Sequence, residues 1–146
     1  MDVKEFLKRP KELKKKIDRK TEKLKELRDE MLPKAVNFEK ERVQTSPHDP
    51  MPDFAAKVYE LDQQIADMYN EYESALDDVE EVIGRIENGS AQLVMVKKYI
   101  RGKTIKQIEE EMFCSRRSVF NLQSSGLRAV EKILSMKEQE KNLQKS

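Results

Sequence analysis

The chain is poor in the residues that build small catalytic or covalently stapled domains. One cysteine, Cys114, excludes an internal disulfide and suits a reducing compartment. One histidine, His48, leaves no His-based catalytic pair and no zinc set. With four glycines in 146 residues there is no phosphate-cradling loop and no dinucleotide fingerprint. Tryptophan is absent, and all five prolines lie before residue 53. No apolar run is long enough to span a bilayer, and no secretory core follows Met1. These absences argue against an enzyme: no catalytic residue, cofactor or metal site is expected. They argue equally against a membrane protein, so the expected place is the cytoplasm. The acidic runs at 77–81 and 109–111 read as solvated helix faces, the second also suited to a protein partner.

What is abundant is charge. Asp, Glu, Lys and Arg make up 39% of the chain, well above the ordinary share of about a quarter. That excess suits extended helices more than one large globular core. The net charge of +1 hides a partition: residues 1–52 carry 15 basic and 11 acidic groups, 53–89 carry 2 and 11, and 90–146 carry 12 and 6. The last third is thus +6, the footprint that binding to a polyanion needs.

Apolar spacing sets the architecture. Phe54, Val58, Leu61, Ile65, Met68, Tyr72, Ala75, Val79, Val82 and Ile86 recur at steps of four and three. This heptad seam predicts one long helix from an Asp53 N-cap to about Glu87. A second seam, Leu13, Ile17, Leu24, Leu27 and Met31, predicts a basic helix over 11–32, interrupted by Lys20. Its charge, 11 Lys and Arg against 4 acids over 8–28, complements the acidic helix. Three arrangements fit: an antiparallel hairpin across a 33–52 linker, pairing between two chains into a homo-oligomer, or a basic helix that itself meets phosphate. The expected fold is all-α: a long helical hairpin or coiled coil (1–52 and 53–89), then a separate domain over 90–146.

That last domain has a helix-turn-helix pattern. Asn88 and Gly89 are expected to end the long helix and Ser90 to cap the next, with Leu93, Val96 and Ile100 inward until Gly102. Thr104 and Gln107 form a capping box for a short helix whose inner face is Ile105, Ile108 and Met112. Phe113 and Cys114 make the turn, and Ser115 caps a helix buried through Val119, Leu122, Gly126 and Val130. Arg116, Arg117, Ser118, Asn121 and Ser125 are left facing outward. Arg can fork onto guanine and Asn onto adenine in a major groove. Lys103, Thr104 and Lys106 fall where the supporting helix would cross the phosphates. The DNA-contact set is therefore Lys103, Thr104, Lys106, Ser115, Arg116, Arg117, Ser118, Asn121 and Ser125. The polar tail from Lys137 is expected to fray.

The run Gln92–Thr104 (QLVMVKKYIRGKT), then Gln107–Ile108, Met112 and Ser115–Val119, resembles region four of bacterial sigma factors. Glu109 and Phe113 stand where that module has a small Ala and a Gly. With the linker-like Val43–Pro47 and Asp49–Asp53, the chain is similar to phage regulators of the ArpU and RinA type. The resemblance implies control of phage or prophage genes through double-stranded DNA, a contact with bacterial RNA polymerase, and association with the nucleoid of a bacterial host. A small terminase subunit is the alternative, although in that class the DNA module more often precedes the oligomerising helices. A coiled-coil adaptor without DNA affinity is a third reading.

Overall fold

A computed structural model describes the backbone of residues 2–38 and 51–144, and the side chains of 2–31 and 51–144. Among the described residues the chain is all-α, in five helices: α1 (Val3–Phe38), α2 (Met51–Gly84), α3 (Gly89–Met95), α4 (Ile105–Met112) and α5 (Arg116–Gln144). A π-helical turn, Val96–Ile100, continues α3. Most of the expected linker, with His48 and Val43–Pro47, lies outside the described residues. No described helix is long and apolar enough to cross a membrane.

The chain divides into two compact units: 12–72, and a second made of 1–11 with 73–146. The first is an antiparallel hairpin of α1 and α2. Leu13, Ile17 and Leu24 on α1, and Phe54 and Leu61 on α2, are buried, with Leu27, Met31, Val58, Ile65, Met68 and Tyr72 half-buried. All of the expected seam residues of α2 face inward. Lys20, which interrupts the seam of α1, donates to Gln64 Oε1 at 2.7 Å, so the polar gap is filled across the hairpin. Arg28 reaches Asp62 at 3.4 Å and Lys14 the Tyr69 hydroxyl at 3.3 Å.

The helix ends differ from the sequence reading. Helix α1 starts at Val3, not Lys11, and carries the buried Pro10 in its interior. An interior proline costs about 3 kcal/mol. Burial of Leu7 before it and of Leu13 and Ile17 after it, at about 1.5–3 kcal/mol each, outweighs that cost. Helix α2 begins two residues before Asp53 and ends at Gly84, ahead of the expected Glu87. Helix α5 continues to Gln144, so the tail from Lys137 is helical as far as it is described.

The second unit is larger than the expected 90–146 domain. One core joins Leu7 of α1, Val79, Val82 and Ile83 from the end of α2, Ile86 just after it, Ala91 and Met95 of α3, and Val130 of α5. The module after residue 90 thus shares its core with the first turns of the chain and the last turns of α2. Lys137 pairs with Glu81 at 3.0 Å across this unit.

Candidate nucleic-acid interface

Helix α3 is capped by Asn88, whose Oδ1 accepts from the Ser90 and Ala91 amides at 3.1 Å. Ser90, the expected cap, is therefore the second residue inside the helix, and Gly89 is the first. The inward residues shift accordingly. Ala91, Val94 and Met95 are fully buried, whereas Leu93, expected inside, is 45% exposed. The π turn then adds a residue to the helical repeat and rotates the chain, bringing Val96, Tyr99 and Ile100 back against the core. Gly102, at φ +67°, ends it in the left-handed region as expected.

The helix-turn-helix proper is held by a small second core. Val94 of α3, Ile108 of α4 and Val119 of α5 are fully buried together, flanked by Ile105, Met112, Cys114 and Leu122. One residue from each helix fixes all three relative to one another. Gly126 completes the fit of α5 on α3, since a Cβ there would lie 2.5 Å from Met95 Cγ. Helix α4 opens with the capping box: the Gln107 amide donates to Thr104 Oγ1 at 3.2 Å, and the Thr104 amide to Gln107 Oε1 at 2.9 Å. The turn into α5 is made by Phe113 at φ 52°, the left-handed conformation that a Gly would take without strain. Its ring is 95% exposed, and nothing in the structure explains an aromatic there. Ser115 caps α5, its Oγ accepting from the Ser118 amide at 3.2 Å and donating to Ser118 Oγ at 3.0 Å.

The nine sequence-derived residues fall into four groups. Arg117, Ser118 and Asn121 are exposed on the first two turns of α5, and Arg117 and Asn121 have no ion pair or hydrogen-bonded side chain among the described residues. Arg116 is exposed but turned onto Glu109 at 3.1 Å, and Ser115 and Thr104 are engaged in caps. On the supporting helix Lys106 is exposed and unpaired among the described residues. Lys103 sits 3.3 Å from Glu111, which also meets Lys97 at 3.5 Å. Burial pushes the Glu111 carboxyl up, but the hydrogen bonds and charges of Lys103 and Lys97 outweigh it and hold the group below the usual carboxylate range. Ser125 does not join this face: it is half-buried and lines a different groove with Arg85, Asn88 and Lys132.

Two members of the exposed stripe lie outside the nine-residue DNA-contact set. Phe120 and Ser124 follow Arg117 at helical steps of three and four and are exposed, Phe120 at 47%. The spacing carries that signal; if Glu109 and Phe113 widen the angle between the helices, Phe120 is the ring expected to turn toward a groove. Gln123 was missed, and it is buried. Its Nε2 donates to the Tyr99 hydroxyl at 3.4 Å, and its Oε1 has no partner among the described residues. Burial raises the Tyr99 phenol above its ordinary value, against a smaller opposite effect of the Gln123 bond.

Comparison with protein-family models, with characterised proteins and with solved structures finds no match to the chain.

Proposed function

We propose that the protein is a sequence-specific DNA-binding transcription regulator that lays the first two turns of α5 in the major groove. The observation that carries the reading is the pair Arg117 and Asn121. They stand four residues apart on an exposed face, without protein partners among the described residues, on a helix whose opposite side is fixed by Val119. Both have the fork geometry that reads guanine and adenine edges. The capped α5 N-terminus favours phosphate nearby, and the +6 charge of residues 90–146 supplies long-range attraction. The resemblance to sigma region four extends the proposal to promoters of phage or prophage genes, with RNA polymerase as a second partner and a homo-oligomer formed through the heptad helices.

The test is a titration of the full chain onto duplex DNA at several salt concentrations. Affinity is expected to fall steeply and linearly in log–log form, because each neutralised phosphate releases counterions. Absence of binding at low ionic strength, or binding indifferent to salt, overturns the proposal and leaves the helical-adaptor reading.

A further inference from the structure

Helix α5 runs on past the core it helps to form. Its packed residues in the second unit extend to Ile133 and Leu134, and the helix continues to Gln144. Apolar residues keep helical spacing along that extension. Ala129, Ile133, Met136 and Leu143 follow at steps of four, three and seven and share one stripe with Glu140. Ala129 and Ile133 are half-buried, whereas Met136 is 60% and Leu143 75% exposed. Lone apolar side chains at a surface are ordinary, but these two prolong a stripe whose other end is packed.

The stripe is also one wall of an open groove of about 820 Å³, the groove that takes Ser125 away from the DNA-contact face. Ala129, Ile133 and Met136 line it from α5, and Ile86 from the connection between α2 and α3. Arg128 and Lys132 stand on the same groove, with no ion pair or hydrogen-bonded side chain among the described residues. Arg85 is there too, but Glu81 holds it at 2.9 Å. Glu87 offsets only part of the remaining positive charge. The groove therefore suits an occupant that brings apolar side chains and a carboxylate. A phosphate backbone would leave the apolar wall unused.

The end of α5 is itself such an occupant. In an antiparallel pair of helices, residues equally far before and after the crossing point stand level with one another. A crossing at Met136 sets Lys132 level with the partner's Glu140, four residues to either side. It sets the small Ala129 level with the large Leu143, seven residues to either side. Glu140 is exposed and has no ion pair among the described residues. A two-fold axis repeats each match, so one helix supplies both halves of the complementarity. We propose that two copies of the chain pair antiparallel through the C-terminal half of α5, crossing at Met136, with Leu143 of each seated in the groove beside Ala129 of the other. This interface depends neither on the DNA-binding reading nor on pairing through the hairpin seams, since none of those residues takes part.

The test is sedimentation equilibrium of the full chain over a concentration series up to about 1 mM, which registers even a weak pair. The wild type is expected to associate reversibly. Met136→Ser with Leu143→Ser changes only side chains that are exposed in the single chain, so circular dichroism should match the wild type. Association should weaken by about tenfold or more, because the apolar contact is lost twice. Lys132→Glu alone sets a carboxylate against the partner's Glu140 at both ends and should also weaken the pair. Lys132→Glu combined with Glu140→Lys restores opposite charges and should recover association toward the wild type. A wild type that stays monomeric throughout the series overturns the inference. Association unchanged by Met136→Ser with Leu143→Ser overturns it too, and assigns the contact to another surface such as the hairpin seams. An unchanged Lys132→Glu variant, or no recovery in the charge-swapped one, overturns the antiparallel crossing. If the double Ser variant is unfolded, the charge-swap series alone gives the decision.

Discussion

Arg116 and Arg117 are neighbours in sequence with different duties. Arg116 is drawn back onto the half-buried Glu109, but the arginine itself is exposed and such a pair contributes about 1 kcal/mol, so a phosphate can compete for it at modest cost. Glu109, where the sigma-like module has a small residue, thus restrains one arginine, and Arg117 and Asn121 remain open. If α5 lies in the groove, Arg117→Ala and Asn121→Ala should each relax base preference by about 1–3 kcal/mol at one position of the site. Lys103→Ala should weaken all sequences alike, because a phosphate contact at Lys103 positions the duplex without reading it. Selection of binding sites from a random pool separates these outcomes: unchanged preferences for both Arg117→Ala and Asn121→Ala would mean that another stripe of α5 does the reading. Phe113 bears on the same geometry. A non-glycine residue in the left-handed region costs on the order of 1–3 kcal/mol, yet the turn keeps the tight form a glycine would give it. The three-helix arrangement holds, with Val94 of α3 and Val119 of α5 both packed on Ile108 of α4.

At the scale of elements, the long seam of α2 was legible because unbroken steps of three and four leave a helix one way to bury its apolar residues. The capping box of α4 was legible because Thr104 and Gln107 act locally. Three features were not. Pro10 reads as a helix boundary, and only tertiary burial of Leu7 overrides it. A uniform repeat across Leu93–Ile100 puts Leu93 inside, whereas the backbone there changes to a π turn. The third concerns the extent of the DNA-binding module, since no local signal ties Leu7 or Val82 to Val130. That last feature has a measurable consequence. A fragment starting at Ser90 lacks Leu7, Val79, Val82, Ile83 and Ile86 from its core and leaves Met95 and Val130 uncovered. Five missing apolar partners, at about 1.5–3 kcal/mol each, exceed the stability of a small domain. The fragment should show no cooperative thermal transition, whereas the full chain should. A sharp, reversible melt of the fragment would show that the Val94–Ile108–Val119 core suffices alone.

At the scale of the whole molecule, charge and seam divide the work between the two units. In the hairpin, a basic stretch of α1 runs antiparallel to the acidic α2, and Arg28 pairs with Asp62 across it. Complementarity there acts through the summed field, and the apolar seam carries the stability. Several seam residues, among them Ile65 and Met68, remain half-buried in a two-helix arrangement, which is the area a second copy of the chain could cover in the proposed oligomer. Ile17 and Leu61 are buried in the hairpin and belong to a different unit from the helix-turn-helix. Replacing both by Asn removes about 2–5 kcal/mol of packing apiece without changing the charge. Far-ultraviolet circular dichroism should then lose the helical signal of the hairpin. The salt slope of DNA binding should stay as in the wild type, because every proposed phosphate and base contact lies in the other unit. If the protein associates through its seams, sedimentation equilibrium should also show the wild type heavier than the variant, and apparent affinity should fall as the paired modules separate. A wild type that sediments as a monomer would leave the hairpin as the only use of the two seams. A variant that loses hairpin helicity and salt-dependent binding together, while remaining monomeric throughout, would mean that the continuous α1 makes folding of the DNA-binding unit depend on the hairpin.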